Sequence, residues 1–472
     1  MSSVFARAPE RVASVWLGGV LGAISAAGAL AQVPDDDGAA GADFDAVVAR
    51  AAVLAEWAGQ SGFVLEAGAL VRRVQRVQPG HASAGLLRRF ADHLADVDEE
   101  LDERLRRQHA AEFARANAEL RTELKRLLPP RAGDASAPDR AAILSALATL
   151  APDMPGLAEP LRRCGLEMLG GYGAVPRADL EAARAELRRL GGDFLSALEA
   201  AHTRAAWSDA FGVRTRHYRV VANLDLPLVL EVARHLEAVY PVWEALANEA
   251  GLELHEPVAP LEVRLYDARA TFDALIDDRT LRAACAREVD TVGVYSLRSR
   301  VACTFLGDDT AAARRALVEN ACHEAVHQLF HLRVRGRALV AAEDIPFSWV
   351  EESICLYCET IDAAAQVLGT RCDDDLSRGL DCASTDFDPL ARVRRVCNGQ
   401  FVDAGDYGCA ALVASCLLEG GDREWRASFL AALRADMHGA AGGPALLPAL
   451  GDGAKLRARL EAHAERVRQR CR

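Results

Sequence analysis

The stretch NACHEAVHQLFH, residues 320–331, contains His323, Glu324 and His327 in the order H-E-x-x-H. In an α-helix, residues four positions apart lie on one face, one turn apart. The two histidines can therefore present imidazole nitrogens to one metal ion, while Glu324 can reach a water molecule without binding the metal. The flanking residues are mainly apolar, which indicates a buried helix whose polar groups need a neutralising partner. The alternative is a pair of core histidines satisfied by hydrogen bonds.

A catalytic zinc ion usually takes three protein ligands, and His331 is the nearest candidate for the third. It lies a further turn beyond His327, about 6 Å along the helix axis, which is too far for the same ion. We therefore expect His331 to pack or to form a hydrogen bond near the site.

Residues 345–359, IPFSWVEESICLYCE, contain a better third ligand. Ser348 followed by Glu351 is a capping-box signature, which predicts the start of a second helix and gives Glu351 a structural task. Glu352 is then the carboxylate free to turn toward the histidine pair. The sequence thus predicts a His-His-Glu metal site on two packed helices.

These two segments resemble the gluzincin clan of zinc metallopeptidases, in which H-E-x-x-H is followed by a helix that opens with W-L-x-E-G-x-A. WVEESIC matches this opening with Trp349 and Glu352. More closely, residues 213–470 resemble the peptidase MA-like domain of uncharacterised secreted bacterial proteins, in which a G-x-Y stretch precedes the metal helix. The resemblance implies one Zn²⁺ per chain, bound by His323, His327 and Glu352.

The chain departs from the gluzincin pattern at several positions. Ser353 and Cys355 replace the usual small residues, and Leu356 stands where some gluzincins carry an aspartate. Glu359, two turns after Glu352, either orients a ligand histidine or lies on the surface.

The resemblance implies hydrolysis of peptide bonds in a peptide or protein substrate. Glu324 would act as general base, taking a proton from water and delivering it to the leaving amine. The oxyanion needs a further donor, for which Tyr407 is the first candidate and Tyr295, Tyr357 and His331 are alternatives.

Two other functions are compatible with the same residues. One is a non-catalytic binding or scaffold protein with a structural metallopeptidase-like domain. The other is a zinc hydrolase of non-peptide substrates. The presence of Glu324 favours an enzyme, because a purely structural site does not need a base.

The N-terminus has the features of a signal peptide. Arg7 and Arg11 precede an apolar stretch that ends in Ala29-Leu30-Ala31. We expect cleavage near Ala31 and export to the periplasm or the extracellular space; the alternative is an uncleaved anchor. No other stretch approaches about 20 apolar residues, which predicts no stable membrane association after cleavage. The net charge of -13 argues against nucleic-acid binding.

The remaining sequence predicts a mostly helical α+β fold. After the signal peptide (residues 1–31) and a linker (32–43), residues 44–210 form a helical domain, and residues 211–472 form the metallopeptidase-like domain. The helical domain contains a tetratricopeptide-like helix pair and a long charged helix, and is a candidate for binding a protein partner. Short strands are predicted at RHYRVVANL, LEVRLY, TVGVYS and RVACTFL, before the H-E-x-x-H helix.

Twelve cysteines fit an exported protein. We expect disulfides in the segment that contains Cys372, Cys382, Cys397, Cys409 and Cys416. Cys355 and Cys358 form a C-x-x-C inside the second metal-site helix, where buried thiols or a local disulfide are expected rather than redox chemistry. The aspartate-rich run that starts at Cys372 does not have the spacing of an EF-hand calcium loop.

Overall fold

The computed structural model describes residues 40–83, 85–86, 99–127, 137–276, 292–307, 309–335, 348–364, 379, 391–392, 394–395, 404–439, 446 and 453–471. The predicted signal peptide lies outside these residues. The chain divides into two compact units between Met168 and Leu169. Within the described residues, no helix combines the length and the apolar character needed to cross a membrane.

The first unit is helical. Its described helices are α1 (Ala40–Gln60), α2 (Val64–Val77), α3 (Glu99–Arg126), α4 (Ala137–Leu150) and α5 (Ala158–Arg163). Helix α1 begins inside the predicted linker and is joined to α2 through Gly62, whose φ of 82° favours glycine. Phe63 stacks on Phe113 of α3 with ring centroids 4.4 Å apart. A helix pair, α1 and α2, and the longer charged helix α3 are thus among the described elements of this unit.

Strands β1 (Leu166–Leu169) and β2 (Gly173–Pro176) form a two-stranded sheet where the chain passes from one unit to the other. The elements that follow are helix α6 (Arg177–Arg189), strand β3 (Asp193–Phe194), helix α7 (Ala197–Ala206), strands β4 (Phe211–Arg214) and β5 (Tyr218–Ala222), helix α8 (Leu226–Glu249), strand β6 (Leu261–Tyr266), helix α9 (Arg269–Leu275), strands β7 (Gly293–Ser296) and β8 (Val301–Phe305), and helices α10 (Ala311–Arg333), α11 (Trp349–Glu359), α12 (Ala404–Glu419), α13 (Arg423–Met437) and α14 (Gly453–Cys471).

The second unit starts earlier than the boundary at residues 210/211 that the sequence suggested. Strand β3 pairs with β4, and Leu180 and Leu187 of α6 are buried in the same core as the six-stranded sheet. Residues 169–210 therefore fold with the sheet, although their sequence pattern, like that of the preceding segment, predicts mainly helices.

The six-stranded sheet has the order β3-β4-β5-β6-β8-β7. Strands β5, β6 and β8 are mutually parallel, whereas β3, β4 and β7 join by antiparallel pairing. The four predicted strands correspond to β5, β6, β7 and β8, so these predictions are confirmed. With the surrounding helices, the sheet confirms the mostly helical α+β class.

Both faces of this sheet are covered. Val220 and Ala222 of β5 belong to the main core with α8 and α10, while Val221 packs on the other face with Tyr266 and Phe272. Covered parallel strands are apolar on both faces, which explains their nearly continuous hydrophobic runs.

Two buried side chains fix helix α10 on this scaffold. The Gln328 side-chain amide donates to the backbone oxygens of Glu262 (3.1 Å) and Arg300 (2.7 Å), which ties α10 to the sheet. Arg333, at the end of α10, donates to the backbone oxygen of His255 (3.1 Å) and to Glu244 (2.8 Å). Together these bonds set the rotation of α10 about its axis and hence the direction in which its histidines point.

Candidate metal centre

Helix α10 carries both histidines of the H-E-x-x-H motif on one face. Thr310 caps the helix, accepting a hydrogen bond from the backbone N–H of Ala313. His323 and His327 are one turn apart, and their Nε2 atoms lie 3.1 Å from each other. Two imidazole nitrogens at this separation need a shared proton or a cation between them, since two lone pairs repel each other.

Helix α11 packs against α10 and brings Glu352 to the histidine pair. Its Oε1 lies 3.3 Å from Nε2 of His323, and its Oε2 lies 3.2 Å from Nε2 of His327. Residue Glu352 as a whole is 9% exposed. The predicted third ligand is therefore in contact with both predicted histidine ligands.

A cysteine joins the same cluster. The donor atoms of His323, His327 and Cys355 all lie within 4.8 Å of one another, and this group can hold a metal ion. Cys355 is fully buried, one helical turn after Glu352. The site thus offers a carboxylate and a thiol as partners for the histidine pair, and the carboxylate oxygens are in direct contact with both rings.

Two further carboxylates contact the other nitrogens of the imidazole rings. Nδ1 of His323 lies 2.6 Å from Oε1 of Glu359, and Nδ1 of His327 lies 3.1 Å from Oε1 of Glu351. Both glutamates are buried. Donation from Nδ1–H to a carboxylate orients each ring and leaves the Nε2 lone pair for a cation.

The N-terminus of α11 is capped as predicted. The hydroxyl of Ser348 accepts a hydrogen bond from the backbone N–H of Glu351 at 3.2 Å. The carboxylate of Glu351, which the capping-box signature directs back to the cap, contacts Nδ1 of His327, and the sequence did not indicate this contact. Of the two possibilities for Glu359, orientation of a ligand histidine is the one that the geometry supports.

Glu324 lies beside the cluster, and strand β7 holds its carboxylate. The backbone N–H of Tyr295 donates to this carboxylate. Gly293 provides the space for it, because a Cβ at this position would be 3.0 Å from Oε1 and 3.1 Å from Cγ of Glu324. The G-x-Y stretch therefore positions the glutamate predicted to act as general base.

Burial and mutual charge shift the pKa values in the cluster. Burial alone would lower the histidine values, but Glu352 and Glu359 raise the pKa of His323 well above its usual range, while Glu351 and Glu352 raise the pKa of His327 to about 9. Burial opposes ionisation of Glu352, yet the two histidines hold its pKa well below its usual range.

Glu324 behaves differently from Glu352. Burial raises the pKa of Glu324, and the opposing effects of His323 and His327 do not cancel this shift. A carboxylate with a raised pKa binds a proton more readily, which suits a group that must accept and return one. The two carboxylates are therefore electrostatically distinct although they belong to one cluster.

The candidate oxyanion donors occupy different positions. The Tyr295 hydroxyl lies 2.6 Å from Nδ1 of His331, which is the hydrogen bonding expected of that histidine. Tyr357 is buried on α11 and bonds to Glu419 of α12. Tyr407 lies in the first turn of α12 and is 38% exposed.

The predicted disulfides concern residues that are described only in part. Cys372, Cys382 and Cys397 lie outside the described residues, as does nearly all of the aspartate-rich run. Cys409 and Cys416 are buried in α12, and Cys416 is a free thiol. Cys355 and Cys358 are also free and buried, so the C-x-x-C consists of thiols.

Comparisons of the chain with protein-family models, with curated proteins and with solved structures found no match.

Proposed function

We propose that the chain is a zinc-dependent metallopeptidase of the gluzincin type, with His323, His327 and Glu352 as ligands and Glu324 as general base. One observation carries the proposal: the two Nε2 atoms and the Glu352 carboxylate are separated by 3.1–3.3 Å. Ligand atoms about 2.0–2.1 Å from a tetrahedral zinc ion are about 3.3 Å apart. This spacing matches the distance between the two nitrogens and the distance from each nitrogen to one oxygen of the carboxylate.

The charge of the cluster also fits a divalent cation. Four glutamates surround two histidines in a largely buried region: Glu324, Glu351, Glu352 and Glu359. Even with both histidines protonated, the carboxylates remain in excess, and buried charge that is not compensated is costly. Imidazole and carboxylate are ligands that zinc takes in catalytic sites.

Zinc in this ligand set supplies Lewis acidity, which lowers the pKa of water to about 7 and polarises a carbonyl group. The chain's own contribution is proton transfer and orientation. Glu324 accepts a proton from water on a carboxylate oxygen and passes it to the leaving nitrogen of the substrate. The backbone N–H of Tyr295 and the space at Gly293 keep this carboxylate in place.

A peptide substrate is supported by strand β7, which is one of the two edge strands of the six-stranded sheet among the described residues. An edge strand offers backbone donors and acceptors to an extended peptide, which can add to it as a further strand. Because β7 also holds Glu324, a peptide aligned there would lie next to the proposed base.

The donor for the oxyanion is proposed to be Tyr407, with Tyr295 as the alternative. The Tyr295 hydroxyl is hydrogen-bonded to His331 and its backbone N–H donates to Glu324, whereas Tyr407 is partly exposed on α12. Replacement of each tyrosine by phenylalanine distinguishes the two candidates. The variant that lacks the oxyanion donor should have a kcat lower by a factor of about 10²–10³, with little change in KM.

Metal analysis combined with a hydrolysis assay tests the proposed function. Purified protein should bind one zinc per chain and cleave an unstructured protein substrate. Glu324→Gln should keep the zinc and lose the cleavage, whereas Glu352→Ala should bind zinc more weakly and lose the cleavage. Glu319→Gln replaces another buried glutamate of α10 and serves as the matched control, with zinc and cleavage unchanged.

Each result distinguishes one function from another. If the protein binds zinc and cleaves no peptide, but hydrolyses esters or non-peptide amides in a reaction that depends on Glu324, it is the non-peptide hydrolase. Zinc bound without any hydrolysis supports the scaffold. A zinc affinity of Glu352→Ala equal to that of the wild type would refute the proposed ligand set.

A further inference from the structure

Cys355 of α11 lies beside the proposed metal centre, where its side chain also packs in the main core. Its side chain is fully buried, and it forms no hydrogen bond within the described residues. Its sulfur lies within 4.8 Å of donor nitrogens of His323 and His327. A thiol is a weak hydrogen-bonding group but a strong ligand for soft and borderline metal ions.

The position of Cys355 follows from the helix that carries Glu352. Residues three apart in a helix lie on neighbouring parts of one face, so Cys355 and Glu352 both point from α11 toward α10. Cys358 is three residues further on and equally buried, but it is not part of the histidine cluster. The two thiols of the C-x-x-C therefore have different surroundings, and only Cys355 has two imidazoles within reach.

We propose that Cys355 is a fourth protein ligand of the metal ion, which closes the site in the resting protein. This inference rests on the proposed function, since the other ligands are His323, His327 and Glu352. On binding, the S–H bond breaks, the proton leaves to solvent and the sulfur electron pair binds the ion, as is usual for coordinating thiols.

Closure of the site has a consequence for activity. Structural zinc sites have four protein ligands, whereas catalytic sites keep one position open for water. With Cys355 bound, water and substrate find no open position, so only those molecules in which Cys355 has left the ion hydrolyse substrate, and the wild type is slow. Hydrolysis then requires Cys355 to leave the ion, and a variant without this thiol is open at all times.

Cobalt substitution tests this ligand directly. Co²⁺ added to the metal-free, full-length protein shows visible bands when it is bound in a four-coordinate site, and an additional near-ultraviolet charge-transfer band when a thiolate is a ligand. We expect this band in the wild type and in Cys358→Ser, the matched control. Cys355→Ser should keep the visible bands and lose the near-ultraviolet band. Cys355→Ser should also hydrolyse peptides faster than the wild type.

The outcomes separate this inference from the proposed function. Visible bands without a near-ultraviolet band in the wild type overturn the role of Cys355 and leave the His-His-Glu site intact. Absence of bound cobalt from the wild type overturns both. Should Cys355→Ser fail to fold, the NMR shift of ¹¹³Cd bound to the wild type decides, because thiolate ligation moves it far downfield from the position given by nitrogen and oxygen ligands alone.

Discussion

The ring of His327 lies between the carboxylates of two consecutive residues. Its Nδ1 is 3.1 Å from Oε1 of Glu351, and its Nε2 is 3.2 Å from Oε2 of Glu352. Consecutive residues of a helix point about 100° apart, so the two side chains reach the ring from different directions. Because Glu351 accepts a hydrogen bond from Nδ1–H, the lone pair of Nε2 is directed to the side on which Glu352 lies.

Removal of the Glu351 carboxylate should weaken metal binding. Glu351→Ala leaves Nδ1 of His327 without its buried acceptor, so the ring loses its fixed orientation. We expect zinc affinity to fall by about 10–100-fold, measured by competition with a chromophoric chelator.

Two controls distinguish this effect from simple loss of stability. Glu351→Gln keeps an acceptor oxygen and should recover most of the affinity. Ser348→Ala removes the helix cap and should lower the free energy of unfolding by about 1 kcal/mol, with zinc affinity unchanged. Equal affinities for Glu351→Ala and the wild type would show that the contact does not orient the ligand.

Displacement of Glu324 should impair hydrolysis without loss of metal. In Gly293→Ala, the new Cβ would lie 3.0 Å from Oε1 of Glu324, so the carboxylate must move by a few tenths of an ångström. We expect kcat to fall roughly tenfold at constant zinc content, because proton transfer depends strongly on geometry. Gly307→Ala is the matched control, since a Cβ there meets no atom within 4 Å. Normal turnover by Gly293→Ala contradicts the assigned role of this close approach.

The pKa of His327 predicts how the stability of the metal-free protein depends on pH. Hydrogen bonds to Glu351 and Glu352 outweigh burial and raise this pKa from 6.5 to about 9. A raised pKa in the folded state stabilises the protein fully below pH 6.5, and the contribution is lost as the pH rises through about 9. In the presence of a chelator, the Tm should therefore decrease over this range.

Zinc should reverse the direction of this dependence. The metal and the proton compete for the same imidazole, so the increase in Tm caused by zinc should grow with pH. The variant His327→Asn isolates the contribution of this residue from those of other groups. A chelated His327→Asn protein whose Tm decreases with pH as steeply as that of the wild type would contradict the assignment.

Arg333 should stabilise the fold by joining the C-terminal end of α10 to helix α8 and to the segment that contains His255. It is 2% exposed and donates to the backbone oxygen of His255 and to Glu244. Arg333→Met removes the buried donor to this backbone oxygen and to the Glu244 carboxylate, and we expect the free energy of unfolding to decrease by about 2–3 kcal/mol. Urea denaturation of this variant beside Arg335→Met, an exposed position, measures the difference. Equal stabilities for the two variants would exclude this role.

The local parts of the candidate site could be read from the sequence. The spacing of His323 and His327 places them on one face of any helix, and Ser348 marks the start of the next one because capping involves only neighbouring residues. The four strands were predictable for the same reason, since alternation and β-branched residues act within a single segment. The choice of Glu352 combined this local reading with family resemblance, and its contacts agree with it.

Only the tertiary structure decided which side chains of one element meet those of another. The contact of Glu351 with His327, the position of Cys355 beside both histidines and the space at Gly293 for Glu324 depend on how α11 and β7 pack on α10. Successive side chains of a helix point in different directions, so the rotation of the helix about its axis decides which of them face a neighbouring element. For α10, this rotation is set by contacts of Gln328 with the sheet and of Arg333 with the backbone of His255. The sequence therefore determined which residues could form a metal centre, and packing determined which of them share it.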